Sequence, residues 1–135
     1  MANTVLHAAT GRLFTIWGMY SAQVLDHFQN PRNPGEIENA DARIHIENPA
    51  CGDVLELTAR SAAGRIVEIR FRAKGCVSAM ACASALTEMV VGRTIREARE
   101  LRREELVEHL GGLPEASVHA GYLAMDALRA LLKEL

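Results

Sequence analysis

The sequence predicts an α+β fold, a small antiparallel three-stranded sheet with helices packed on one face. Leu55, Leu57 and Ala59 alternate with Glu56, Thr58 and Arg60, and Val67, Ile69 and Phe71 alternate with Glu68, Arg70 and Arg72, across a turn at Ala62-Ala63-Gly64. Strict alternation marks strands with one face covered and one wet, so the pair reads as an antiparallel hairpin. Residues 77 to 91 are instead apolar and small nearly all round, with Ser78, Ser84, Thr87 and Glu88 as the polar relief. Such a segment is a buried helix, and it supplies the cover the sheet needs.

A chain of 135 residues, nearly half of them apolar, is enough for one domain with a real core. Residues 1 to 19 read as an N-terminal extension, ordered or not, ahead of a single domain over 20 to 135. Their apolar run Leu13-Phe14-Thr15-Ile16-Trp17 is too short to span a membrane and has neither a basic leader nor a cleavage pattern. Three cysteines, an odd number, argue against a disulfide framework and for reduced thiols in a cytoplasmic setting. The net charge of −2 is spread over interspersed charges with no basic stripe, so neither nucleic acid nor a membrane is an expected partner. A monomer or weak homo-oligomer is expected.

In chain order, Ser21 caps a short helix whose apolar face is Val24, Leu25 and Phe28, and Asn30-Pro31-Arg32-Asn33-Pro34-Gly35 ends it. Residues 42 to 47 alternate weakly and form the first strand, stopped by Pro49. The hairpin and the buried helix follow, and Gly92 ends the latter. Thr94 then caps a charged helical segment in which Arg93 with Glu97 and Arg96 with Glu100 stand at pairing distance, while Ile95, Ala98 and Leu101 face inward. Leu106, Val107 and Leu110 continue that side to the break at Gly111-Gly112-Leu113-Pro114. The last helix runs from about Ser117 with Ala124, Leu128, Leu131 and Leu135 as its stripe.

Chemistry gathers at the two ends of the hairpin. Asn48-Pro49-Ala50-Cys51-Gly52-Asp53 precedes it and Gly75-Cys76-Val77-Ser78 follows it, so the hairpin itself makes the two cysteines neighbours. Each cysteine sits beside a glycine, where bare backbone allows close approach. Cys51 and Asp53 place a soft and a hard ligand in one turn, and Cys76 opens a helix, whose dipole favours a thiolate. The simpler readings stand beside these: Cys51 and Cys76 as buried cysteines, Asp53 as the closing residue of an Asx turn, His119 as a core histidine. Cys82, within the buried helix, reads as packing. His27, His45 and His109 have no partners at ligand spacing and read as structural or surface residues. Hydrolase triads, phosphate-binding loops and paired catalytic carboxylates are absent by spacing, so no independent enzymatic activity is expected.

From Tyr20 onward the chain resembles the iron-sulfur cluster assembly scaffold family of IscU, NifU N-terminal and SufU type. The resemblance rests on Tyr20-Ser21, His27-Phe28-Gln29-Asn30-Pro31-Arg32-Asn33, Ala50-Cys51-Gly52-Asp53, Gly75-Cys76, a small-residue helix ending in Thr87-Glu88, and His119. It implies a site of Cys51, Asp53, Cys76 and His119 that holds iron, a labile [2Fe-2S] cluster or zinc. A cysteine desulfurase would supply sulfur and recipient apo-proteins would take the cluster. In the family a third cysteine directly follows the histidine; here that position is Ala120. Leu113-Pro114-Glu115-Ala116-Ser117-Val118 also departs from the Leu-Pro-Pro-Val-Lys pattern recognised by an Hsp70-type chaperone, which argues against chaperone-assisted release. The competing readings are a zinc-bound sulfur acceptor of SufU type and an adaptor that keeps the fold without building clusters.

Overall fold

The computed structural model describes residues 20–50 and 52–135, together with the backbone of residues 6–7 and 13–14. Those two short segments, β1 (Leu6–His7) and β2 (Leu13–Phe14), pair antiparallel. The other expectations for the first nineteen residues, and Cys51 itself, lie outside the described residues.

Ser21 caps α1 (Ala22–Gln29) by accepting the Val24 N–H at 2.9 Å. The buried residues of α1 are Val24 and His27, while Leu25 and Phe28 are half-buried. Asn30 to Gly35 then cross to the sheet, where Asn33 O and Gly35 N bond the backbone of Phe71 at 3.0 and 2.8 Å. That contact covers part of an exposed strand edge. Strands β3 (Ala42–Asn48), β4 (Asp53–Ala62) and β5 (Arg65–Lys74) form an antiparallel sheet in the order β3-β4-β5.

The hairpin register departs from simple alternation. Ala59 pairs Ile69 and Arg60 pairs Glu68, but Ser61 pairs Ile66, so Val67 is the extra residue of a bulge. The inward place predicted for Val67 therefore belongs to Ile66, fully buried, while Val67 is 47 % exposed. Beyond the bulge the two-residue turn Ala63-Gly64 has positive φ at both positions, which matches the twist of the strands it joins.

The inward face carries Ile44, Leu55, Leu57, Ile69 and Phe71, and α2 (Val77–Val90) and α5 (Val118–Leu132) pack over it. The small residues of α2 allow close approach, and ten of its fourteen residues are buried. Cys82 is among them, packed as a small hydrophobe. The charged segment is two short helices rather than one. Thr94 and Glu97 form a capping box on α3 (Ile95–Arg99), the Glu97 carboxylate accepting the Thr94 N–H, and α4 (Arg103–His109) restarts after a turn. A 3-10 turn over Glu115–Ser117 leads into α5. Among the described residues no helix is long and apolar enough to cross a membrane.

Candidate metal centre

Asp53, Cys76 and His119 converge at the open end of the hairpin. Asp53 is the first residue of β4 and its carboxylate is 2 % exposed. Val54 pairs Lys74 across the ladder, so the chain leaving β5 passes directly over Asp53 at Gly75 and Cys76. Gly75 has φ +149°, and a Cβ there would lie 2.2 Å from Asp53 Oδ1. Only glycine fits that crossing. The turn on the other side is built by Asn48, whose side-chain Oδ1 accepts the Ala50 N–H and whose backbone O accepts the Gly52 N–H. Cys51 lies between those two placed residues and outside the described ones.

Cys76 is the N-cap of α2, its Sγ accepting the Ala79 N–H at 3.3 Å. Its backbone N–H donates to Asp53 Oδ1 at 3.2 Å, and its thiol points at Asp53 Oδ2, 3.9 Å away. His119, in the first turn of α5, brings Nε2 to within 3.1 Å of the same Oδ2. One ligand atom from each of the three lies within 4.8 Å of the others. Thiol, carboxylate and imidazole are the donor types that zinc and iron accept, and a shell this tight suits one metal centre. Asp53 thus does more than close a turn.

The helix start does lower the Cys76 thiol, as expected, but burial and a neighbouring charge outweigh it. Burial raises it, the amide of Ala79 lowers it, and the neighbouring Asp53 carboxylate raises it again, with a net shift upward. The thiol therefore keeps its proton until a cation arrives to compensate the charge. Cys82 is further still from reactivity, pushed up to about 12 by burial and by Cys76. At pH 8 a thiol of that pKa is only about one part in ten thousand thiolate. In the native protein Cys82 is accordingly expected to escape iodoacetamide while Cys76 reacts slowly, more quickly as pH rises. Peptide mass spectrometry after timed alkylation measures this, and early labelling of Cys82 would contradict the packing.

Ala120, where the resemblance expects a third cysteine, is 1 % exposed and offers no donor. The expectation for the remaining histidines needs correction in part. His45 is a surface residue, bridged between Glu47 and Glu56. His27 and His109, in contrast, both meet Glu88, a cluster that sequence spacing missed because its members sit on three different helices. The one signal in the sequence was His27 three residues after Val24, on the face of α1 that faces the protein.

The chain is similar to known proteins over most of its length. Residues 19–135 match the family model described as the NifU-like N terminal domain. The chain is 48 % identical over 111 residues to iron-sulfur cluster assembly scaffold protein IscU 1 of Archaeoglobus fulgidus, covering 82 % of this chain and 72 % of that one. It is 38 % identical over 119 residues to the Escherichia coli K12 scaffold protein IscU, covering 85 % and 92 %. In fold it is similar to the N-terminal part of a NifU-like protein from Brucella abortus, with TM-score 0.72 at 18 % identity over 86 % of this chain and 93 % of that one. A putative SUF-system scaffold from Fervidobacterium islandicum gives TM-score 0.70 at 24 % identity, covering 84 % and 96 %. The match over nearly the whole described chain places it plainly: this protein belongs to the NifU-like N-terminal domain family.

Proposed function

We propose that the protein is an iron-sulfur cluster assembly scaffold, a binder and carrier rather than an enzyme, with iron or a [2Fe-2S] cluster as its cargo. The observation that carries this reading is the meeting of Cys76, Asp53 and His119 around one point, each on a different element. Cys51, two residues before Asp53 in the sequence, supplies the fourth ligand in this reading. Mixed thiolate, imidazole and carboxylate ligation holds iron less firmly than thiolates alone, which suits a site that must release what it holds.

The residues divide the work. The glycine crossing and the Cys76 amide fix Asp53, and Asp53 orients His119 through Oδ2. Before loading, Asp53 Oδ2 meets both His119 Nε2 and the Cys76 thiol. Loading displaces those hydrogen bonds and releases the Cys76 proton, so affinity rises with pH. A cysteine desulfurase supplies the sulfur and recipient apo-proteins accept the cargo.

A single zinc ion is the second reading, favoured by Ala120: with no thiol after His119, the donor set fits one tetrahedral ion as well as a cluster. Anaerobic reconstitution with iron, cysteine and a desulfurase separates the two. Equal iron and sulfide with a charge-transfer spectrum, both lost in Cys51→Ala and Cys76→Ala, supports the scaffold. Zinc alone, with no sulfide retained, supports the second reading. A protein that binds a desulfurase equally well in both variants and holds no metal would leave only an adaptor role.

A further inference from the structure

The second cluster, away from the hairpin, has the form of a metal site of its own. His27 Nε2 lies 3.3 Å and His109 Nε2 3.1 Å from the same oxygen of Glu88, Oε1. In a tetrahedral zinc shell with bonds of about 2.0–2.1 Å, neighbouring ligand atoms stand about 3.3–3.4 Å apart. The two histidine rings stand 5.9 Å apart between centroids, tilted by 58°, so both nitrogens reach the carboxylate from different sides. The surroundings hold each ligand in place. His27 is buried, and its other ring nitrogen, Nδ1, meets Ser84 Oγ at 2.7 Å. Ser84 Oγ also accepts the Arg32 N–H at 2.8 Å and has a second lone pair for a His27 Nδ1–H. That tautomer turns the bare Nε2 lone pair toward Glu88, the arrangement usual for a metal-bound histidine with an outer hydrogen-bond partner. Arg32 Nε lies 3.6 Å from the opposite carboxylate oxygen, Oε2, and Asp26 balances its charge at 2.7 Å.

We propose that His27 Nε2, Glu88 Oε1 and His109 Nε2 form a second, thiolate-free site for zinc or a similar divalent transition ion, with water as the fourth ligand. Two imidazoles and a carboxylate make a donor set of borderline softness, which zinc fills well. An ion there ties together α1, the last turn of α2 and the end of α4.

The test uses the full chain with Cys51→Ser and Cys76→Ser, titrated with zinc against a chromophoric chelator and with cobalt(II). One bound equivalent is expected, with cobalt d–d bands and no thiolate-to-cobalt charge transfer. Adding His109→Gln, a change at a residue 39 % exposed at its side chain, should weaken binding by about tenfold or more. No zinc in the doubly substituted chain, or binding indifferent to His109→Gln, overturns the site and leaves Glu88 as a hydrogen-bond partner of its two histidines. If circular dichroism shows the doubly substituted chain unfolded, the wild-type chain answers instead. It should take two zinc equivalents and its His109→Gln variant one, and equal counts overturn the proposal. Failure of the hairpin site would show separately, as loss of the thiolate-to-cobalt band in the wild-type chain.

Discussion

Gly75→Ala is expected to destabilise the protein by about 3 kcal/mol and to weaken metal binding at the hairpin site by more than about tenfold. Two effects add. The backbone at φ +149° is one that a side chain rarely adopts, and the new Cβ would stand 2.2 Å from Asp53 Oδ1 and 3.2 Å from Asp53 Cα. The nearest atom belongs to a carboxylate that is almost fully buried and tied at both oxygens, to the Cys76 N–H and to His119 Nε2. Relief must come from moving the strand end or breaking those bonds. Urea unfolding monitored by circular dichroism gives the stability change, and a zinc or iron competition titration gives the affinity. A variant within about 0.5 kcal/mol of wild type, with unchanged affinity, would mean that the two strand ends do not cross as described.

Leu57→Ala is the second large effect, at about 2–5 kcal/mol of stability. Leu57 is fully buried on the middle strand and pairs with Ile44 on one side and Phe71 on the other. Both helices that cover the sheet pack over this face, so the walls of the resulting cavity are held by regular structure and collapse poorly. Against a total stability on the order of 5–15 kcal/mol, that loss is a large share. The urea midpoint should fall with the slope of the transition unchanged. Metal affinity of the folded fraction should be preserved, because Leu57 lies in the core layer and Asp53, Cys76 and His119 at its end. A loss under about 1 kcal/mol would contradict the placement of Leu57 at the centre of the core.

The two predictions together separate the layers of the fold. The first strains a crossing that serves the site, and the second removes volume that serves the whole sheet. Binding and stability should therefore fall together in Gly75→Ala and come apart in Leu57→Ala.

What the sequence determined by itself is what local geometry controls. Period-two alternation predicts the hairpin, and a hairpin brings its ends together, so the segment of Cys51 was expected beside Cys76; Asp53, two residues after Cys51, is the residue seen to meet Cys76. The capping residues Ser21 and Thr94 and the breaks at Gly92 and Pro114 were legible for the same reason, since each acts on its immediate neighbours. His119 was reachable only through the family resemblance, because nothing in its own segment points to the hairpin. Tertiary packing decided the rest. The bulge that exchanges Val67 for Ile66 depends on the pairing of both strands, and the raised Cys76 thiol on how far burial and Asp53 outweigh the helix start. The meeting of His27, Glu88 and His109 depends on three helices whose relative placement no periodicity encodes. Side chains far apart in the chain become one chemical group only when the core fixes the distances between the elements that carry them.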